Sequence, residues 1–120
     1  MMDAPNRLEL VKTIEGVKVY RMIGSYTVGS TADYYKVCSV AVSDPGTKAI
    51  LLDFTGVSDM DTAGFACVIN FIKENLREGM KVGVINVGRK VQDLAGILKI
   101  TSAIRHYRTE EEAIKSLSRR

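Results

Sequence analysis

The chain has 120 residues, of which 46% are apolar and 26% are charged, and its formal net charge is +3. This composition is typical of a globular domain, and we expect a single domain over residues 1–120 that buries a core without disulfides or a structural metal. The longest uncharged runs, residues 22–32 and 62–72, are eleven residues each. Because a membrane-spanning helix needs about 20 apolar residues, we expect no membrane insertion. We also expect no signal peptide, and hence a cytoplasmic protein.

Short apolar runs alternate with helical patterns along the chain. Alternating apolar and polar residues predict a hairpin at the start, with its turn at Glu15-Gly16. Consecutive apolar residues, such as Ile50 to Leu52, indicate strands buried on both faces. Apolar residues three or four positions apart, such as Phe65, Ile69 and Ile72, indicate amphipathic helices. The predicted strands are 8–14, 17–23, 49–53, 81–87 and 104–107, and the predicted helices are 30–42, 62–78, 89–98 and the segment after residue 109.

The element order β-β-α-β-α-β-α-β-α predicts an α/β fold with a mixed, largely parallel sheet and four helices laid over it. Residues 24–29 and 54–61 are predicted as loops. Thr109 and Glu112 have the spacing of a capping box, which predicts the start of the last helix.

Few residues of this chain suit a catalytic or metal site. Cys38 and Cys67 lie far apart in apolar contexts, so we expect both to be reduced and buried. His106 is the only histidine, which excludes a two-histidine zinc site, and its apolar context predicts a strand residue. Phosphate-binding P-loops and G-x-S-x-G motifs are absent, and the basic residues are not interleaved with aromatic ones. We expect no catalytic residue, cofactor, metal or nucleic-acid partner.

Residues 50–65 contain the most informative pattern, a buried strand followed by an aspartate-rich segment and a helix start. The pair Asp59 and Asp61 is similar to the paired aspartates of haloacid dehalogenase phosphatases, but those directly follow the buried strand, whereas Asp59 lies six positions after Asp53. A calcium loop also fails, because Ala63 and Asn70 stand where oxygen ligands are needed.

Several segments together match another family in order and spacing. They are Leu52-Asp-Phe-Thr-Gly-Val57, Asp61-Thr-Ala-Gly64, Gly83-Val-Ile-Asn-Val87 and Tyr107-Arg-Thr-Glu-Glu-Glu-Ala-Ile114. In this order they resemble the STAS domain, the fold of bacterial anti-sigma factor antagonists. The resemblance covers roughly residues 48–117.

This resemblance implies a regulatory domain without catalysis of its own that works by partner switching. It implies that Thr62 is the phosphoacceptor, because the family's phosphorylated Ser or Thr follows the loop aspartate. The unphosphorylated form would bind an anti-sigma factor that is also a serine/threonine kinase, phosphorylation would release it, and a metal-dependent phosphatase would reset it. The implied partner-binding surface is formed by Asp59, Asp61, Ala63, Gly64 and Phe65.

Three alternatives stay open at this stage. Thr62 or Asp61 can serve only as a helix N-cap, a role common for both residue types. The loop at Gly24 lacks the acidic residue found in many STAS domains, which agrees with a subunit that is never phosphorylated and serves in a stress-sensing complex or a membrane transport system. The third alternative is a small phosphotransferase that uses Asp61.

Overall fold

The computed structural model describes residues 7–27, 46–77, 79–89, 92–93 and 105–119. These residues form β1 (Arg7–Ile14), β2 (Val17–Tyr26), β3 (Ala49–Met60), α1 (Thr62–Arg77), β4 (Lys81–Ile85), β5 (Arg105–His106) and α2 (Glu110–Leu117). All the strands lie in one sheet in the order β1-β2-β3-β4-β5, with β1 antiparallel to β2 and every other pair parallel. The predicted α/β class with a mixed, largely parallel sheet is confirmed.

Two of the four predicted helices, at 62–78 and after residue 109, correspond to α1 and α2. The predicted helix 30–42 lies outside the described residues, and so does most of the predicted helix 89–98. The fold of the described part of the chain therefore contains two helices, and the element order differs in this detail from the prediction.

The first two strands form the predicted hairpin. Its turn residues, Glu15 and Gly16, have positive φ angles of 51° and 80°, the left-handed pair that suits a tight two-residue hairpin turn. β2 is longer than predicted, because it continues through residues 24–26, which the sequence predicts as part of a loop.

β3 is also longer than predicted, and this corrects the expected loop at 54–61. Its second half runs beside the end of β2, where Val57 lies opposite Gly24 and Met60 lies opposite Tyr26, with two register irregularities on the way. The side chains of residues 55–59 are exposed or half-buried, so no apolar pattern marks them as a strand. Backbone pairing with β2 holds the segment extended.

The sheet buries a cluster of apolar side chains on each face, as the two-residue period of strands requires. On one face, residues such as Ile50, Leu52 and Val84 pack with Phe65 and Val68 of α1. The opposite face packs against α2, and its cluster comprises Val17, Val19, Ala49, Leu51, Ile85, Ala113 and Leu117. Two helices therefore cover opposite faces of one sheet.

The capping box at the start of α2 is confirmed. The Thr109 hydroxyl accepts a hydrogen bond of 3.1 Å from the backbone amide of Glu112, so it satisfies one of the amides that a helix start leaves without a partner. Close packing continues beneath α2, since a Cβ at Gly83 would lie 2.7 Å from the Tyr107 ring.

The structure describes two of the three residues considered for redox or acid–base chemistry, His106 and Cys67. His106 is an exposed strand residue in β5, as predicted. Cys67 is free and half-buried, rather than fully buried as expected, and Cys38 lies outside the described residues. None of the helices in the described ranges is long and apolar enough to cross a membrane.

Candidate functional site

The start of α1 is capped by Asp61. Its Oδ1 accepts a 2.8 Å hydrogen bond from the backbone amide of Gly64, and its own amide donates to the carbonyl of Tyr26 at 3.2 Å. Asp61 is therefore the N-cap, and Thr62 is the first residue inside the helix. The side chain of Thr62 is exposed, so the hydroxyl faces solvent at the positive end of the helix dipole.

Gly64 lets the start of α1 lie directly against the end of β2. A Cβ at this position would be 1.7 Å from the carbonyl oxygen of Tyr26, a distance that no side chain tolerates. Tyr26 itself is fully buried. The position of Thr62 relative to the sheet is thus fixed by a contact between two backbone segments.

The residues predicted to form a partner-binding surface are only partly at the surface. Asp59 is exposed, and its Oδ1 accepts the amide of Met60 at 2.9 Å. Asp61 and Ala63 are half-buried, whereas Gly64 is buried and Phe65 is 3% exposed within the core. Asp59 and Asp61 therefore precede Thr62 with their carboxylates bonded to local backbone amides, whereas Phe65 packs in the core.

The outer face of α1 extends this surface, a feature that the sequence signature does not single out. Thr62, Ala66, Asn70 and Lys73 are exposed, and their spacing of four, four and three residues places them along one side of the helix. In the sequence, this exposed side of the helix is marked only by the positions at which the repeat of large apolar residues is interrupted. A partner that contacts Thr62 would also meet this stripe.

A second group of polar residues forms around Asp53, midway along β3, and Asn86, which directly follows β4. Asp53 is 6% exposed, and its Oδ1 accepts hydrogen bonds from the amide and hydroxyl of Thr55 at 2.9 and 2.5 Å and from the amide side chain of Asn86 at 3.0 Å. Its Oδ2 lies 3.7 Å from Nε of Arg21. Asn86 has a positive φ of 58°, a conformation that asparagine tolerates better than most residues.

These contacts keep Asp53 ionised. Burial alone would raise the pKa of Asp53, but hydrogen bonds from Thr55 and Asn86 and the charge of Arg21 outweigh burial, so the pKa lies below its usual value of 3.8. Sequence reasoning did not identify this cluster. Its one local signal is an aspartate directly after the apolar run 49–52. Asn86 is 33 residues away along the chain, so no local pattern links it to Asp53.

A cavity of about 300 Å³ lies next to this cluster, since Thr55 and Asn86 contribute to its lining. The other lining residues are Phe54, Val57, Ser58, Asp59, Met60 and Gly88. Within the described ranges, no three His, Cys, Asp or Glu side chains are grouped to hold a metal ion.

The sequence profile of the STAS domain matches residues 10–113. The chain belongs to the STAS family. The resemblance based on Leu52–Val57 and Asp61–Gly64 is thereby confirmed. Comparison of this STAS sequence with curated proteins gave no match.

Solved STAS structures share its fold at low sequence identity. An anti-sigma factor antagonist from Mycobacterium paratuberculosis has a TM-score of 0.80 at 17% identity, with 98% of this chain and 100% of that one covered. The Bacillus cell fate determinant SpoIIAA in its phosphorylated form has a TM-score of 0.66 at 21% identity, with 92% and 97% covered. The murine Solute Carrier 26 family member A9 anion transporter has a TM-score of 0.75 at 14% identity, with 94% of this chain and 22% of the transporter covered.

Proposed function

We propose that this STAS domain is an anti-sigma factor antagonist-like regulator that acts by partner switching and has no catalytic activity of its own. Its unphosphorylated form binds an anti-sigma factor that is also a serine/threonine kinase, and phosphorylation of Thr62 releases it. A metal-dependent phosphatase restores the binding form. The observation that carries the proposal is that Asp61 provides the helix cap, which leaves Thr62 exposed beside it.

Phosphorylation of Thr62 changes the charge of this surface more than its shape. A phosphate adds about −1.5 to −2 charges at pH 7. The positive end of α1 stabilises part of that charge, whereas the neighbouring Asp59 and Asp61 repel it. A partner that packs over Thr62 and Ala66 would have to desolvate the new charge, so binding weakens without refolding of the domain.

Two of the structural neighbours support this proposal. The mycobacterial protein is described as an anti-sigma factor antagonist, and SpoIIAA is described in a phosphorylated form. In this chain, a threonine at the start of α1 provides the hydroxyl that such a modification requires.

A second candidate function is a STAS subunit that is never phosphorylated and assembles with a larger stress-sensing complex or a membrane transport system. The likeness to the murine anion transporter favours it, because its TM-score of 0.75 lies within the range found for the antagonists. The two functions differ in whether phosphorylation of Thr62 changes the binding of the partner.

The decisive experiment is phosphopeptide mass spectrometry on the protein isolated from its own cells under resting and stressed conditions, followed by co-purification with Thr62 variants. We expect phosphate on Thr62 that changes with condition. We expect Thr62→Ala to retain the co-purifying kinase and Thr62→Asp to bind roughly tenfold more weakly or worse, since a buried charge without a partner costs about 1–3 kcal/mol or more.

Thr13→Asp provides the matched control, because Thr13 is also an exposed threonine but lies on β1. It should bind the kinase like the wild type. Complete coverage of the Thr62 peptide without phosphate in any condition, together with equal co-purification of Thr62→Ala and Thr62→Asp, would contradict partner switching and favour the scaffold function.

A further inference from the structure

β1 is an edge strand of eight residues. Among the described residues it pairs only with β2, and none of the described strands lies along its other side. A long edge strand of this kind is a template for pairing with a strand of another chain. Bulges and charged side chains restrict such pairing, and β1 has a bulge at Val11 and charges at Glu9 and Lys12, so a strand that pairs with it has to match both features.

The apolar side chains of β1 are unusually accessible. Leu10, Val11 and Ile14 are 49%, 38% and 42% exposed, and in the described part of the chain every exposed large apolar side chain belongs to this strand. Exposed apolar residues concentrated in one place indicate an interaction surface rather than the scattered exposure normal for a monomer.

A bulge at Val11 places two opposite charges of β1 on the same face of the sheet. Glu9 lies opposite Arg21 and Lys12 lies opposite Val19. Arg21 and Val19 are two residues apart in β2, so they share a face. Without the extra residue, Glu9 and Lys12 would point to opposite faces, because three positions separate them along the strand.

This placement makes β1 complementary to itself. If two copies of β1 pair antiparallel about a two-fold axis between Leu10 and Val11, Glu9 of each copy lies opposite Lys12 of the other, and Leu10 lies opposite Val11. Lys12 already forms an ion pair of 2.7 Å with Glu110 of α2, which confirms the face on which it projects. Two opposite-charge pairs and two apolar pairs then stabilise one symmetric interface.

We propose that β1 mediates homodimerisation in this register, so that the sheets of two copies join into one continuous sheet. A second copy fits better than an unrelated strand, because a two-fold pairing matches both charges at once and any slip in register separates them. The proposal does not rest on Thr62 or on partner switching.

Sedimentation equilibrium of the purified full chain tests this dimer. We expect a monomer–dimer equilibrium for the wild type. Glu9→Lys places a lysine opposite Lys12, and Lys12→Glu places a glutamate opposite Glu9, so each variant should weaken dimerisation by roughly tenfold. A mixture of the two variants should form a heterodimer, because every charged side chain at these two positions then lies opposite one of the other sign.

Asp93→Lys and Lys73→Glu are the matched controls, since both residues are exposed and lie outside β1. They should dimerise like the wild type, and circular dichroism should show that all variants are folded. Amide hydrogen exchange along β1 should slow as the wild-type concentration rises.

Three results would overturn the proposal. If the wild-type protein stays monomeric at every concentration, β1 does not mediate homodimerisation, and its edge would instead bind a strand of a different protein. Dimerisation that Glu9→Lys and Lys12→Glu leave unchanged would place the interface elsewhere. Failure of the two variants to form a heterodimer would exclude this register.

Discussion

Asp53 is the buried charged side chain among the described residues, and the structure shows why it remains charged. Thr55 and Asn86 donate hydrogen bonds to its Oδ1, and the guanidinium of Arg21 faces Oδ2. These contacts connect β2 and β3 with the residue that follows β4. Removing the charge would weaken the charge-assisted hydrogen bonds to Asp53 and leave the guanidinium of Arg21 beside a neutral group, which is costly at a buried position.

We predict that Asp53→Asn lowers the free energy of unfolding by about 1–3 kcal/mol at pH 7. Because the pKa of Asp53 is lower in the folded than in the unfolded protein, its charge stabilises the fold fully above the unfolded value of 3.8 and less as the pH falls below it. The difference between wild type and variant should therefore shrink between about pH 5 and pH 2, a range set by that direction of shift.

Urea denaturation at a series of pH values measures this difference. Asp93→Asn is the control, because Asp93 is exposed and should show little difference from the wild type at any pH. A difference between wild type and Asp53→Asn that does not change with pH would show that the charge of Asp53 is not what stabilises the fold.

At the scale of elements, the contact between α1 and β2 determines where the candidate phosphoacceptor lies. The amide of Asp61 donates to Tyr26, and Gly64 leaves no room for a side chain above the same carbonyl. The helix start is therefore held by backbone contacts, with Thr62 exposed immediately beside them. Small displacements of this contact would move the Thr62 hydroxyl.

We predict that Gly64→Ala destabilises the protein by about 1–3 kcal/mol or more, although alanine favours a helix interior over glycine by about 1 kcal/mol. The reason is the overlap of its Cβ with the Tyr26 carbonyl. Gly88→Ala, where a Cβ meets no atom within 4 Å, should change stability by no more than about 0.5 kcal/mol. Chemical denaturation of both variants tests this contact. A Gly64→Ala variant that is as stable as the wild type, or more stable, would contradict the prediction.

The elements that the sequence predicts correctly have a local signal, which is alternation, a continuous apolar run, the helical period or a capping residue. The Glu15-Gly16 hairpin, the helix beginning at Thr62 and the cap at Thr109 all have such local signals, and all are present. The second half of β3 has none, because its extended backbone is held by pairing with β2.

The candidate site shows the same division between local and distant information. The local sequence around Thr62 predicts a helix start with a hydroxyl, but the choice of Asp61 as the cap depends on the geometry of the turn. The burial of Phe65 depends on the sheet beneath it. The hydrogen bond from Asn86 to Asp53 could not be predicted from a local pattern, because the two residues are 33 positions apart in the sequence.

At the scale of the whole molecule, one sheet holds two apolar clusters that share no residues. The first is covered by α1, next to the candidate site, and the second is covered by α2. Leu117 lies at the centre of the second contact, with 1% exposure and a side chain close to Gly83. The stability of the sheet therefore depends on a helix that takes no part in the surface around Thr62.

We predict that Leu117→Ala lowers the free energy of unfolding by about 2–5 kcal/mol, the range for truncating a buried leucine. Ile114→Ala, on the same helix but half-buried, should cost less because less apolar surface is lost. Urea denaturation measures the free energy of unfolding of both variants. A larger loss for Ile114→Ala than for Leu117→Ala would show that α2 packs on the sheet through a different face.

The order of strands in the sheet has a consequence for how the chain acquires its structure. Every strand lies beside the strand that precedes it in the sequence, so during translation each new strand finds its neighbour already synthesised. The face covered by α1 can close as soon as β4 has emerged. Among the described elements, α2 is the one that covers the face containing Val19 and Leu51, so this half of the core is completed only after the last helix has emerged from the ribosome.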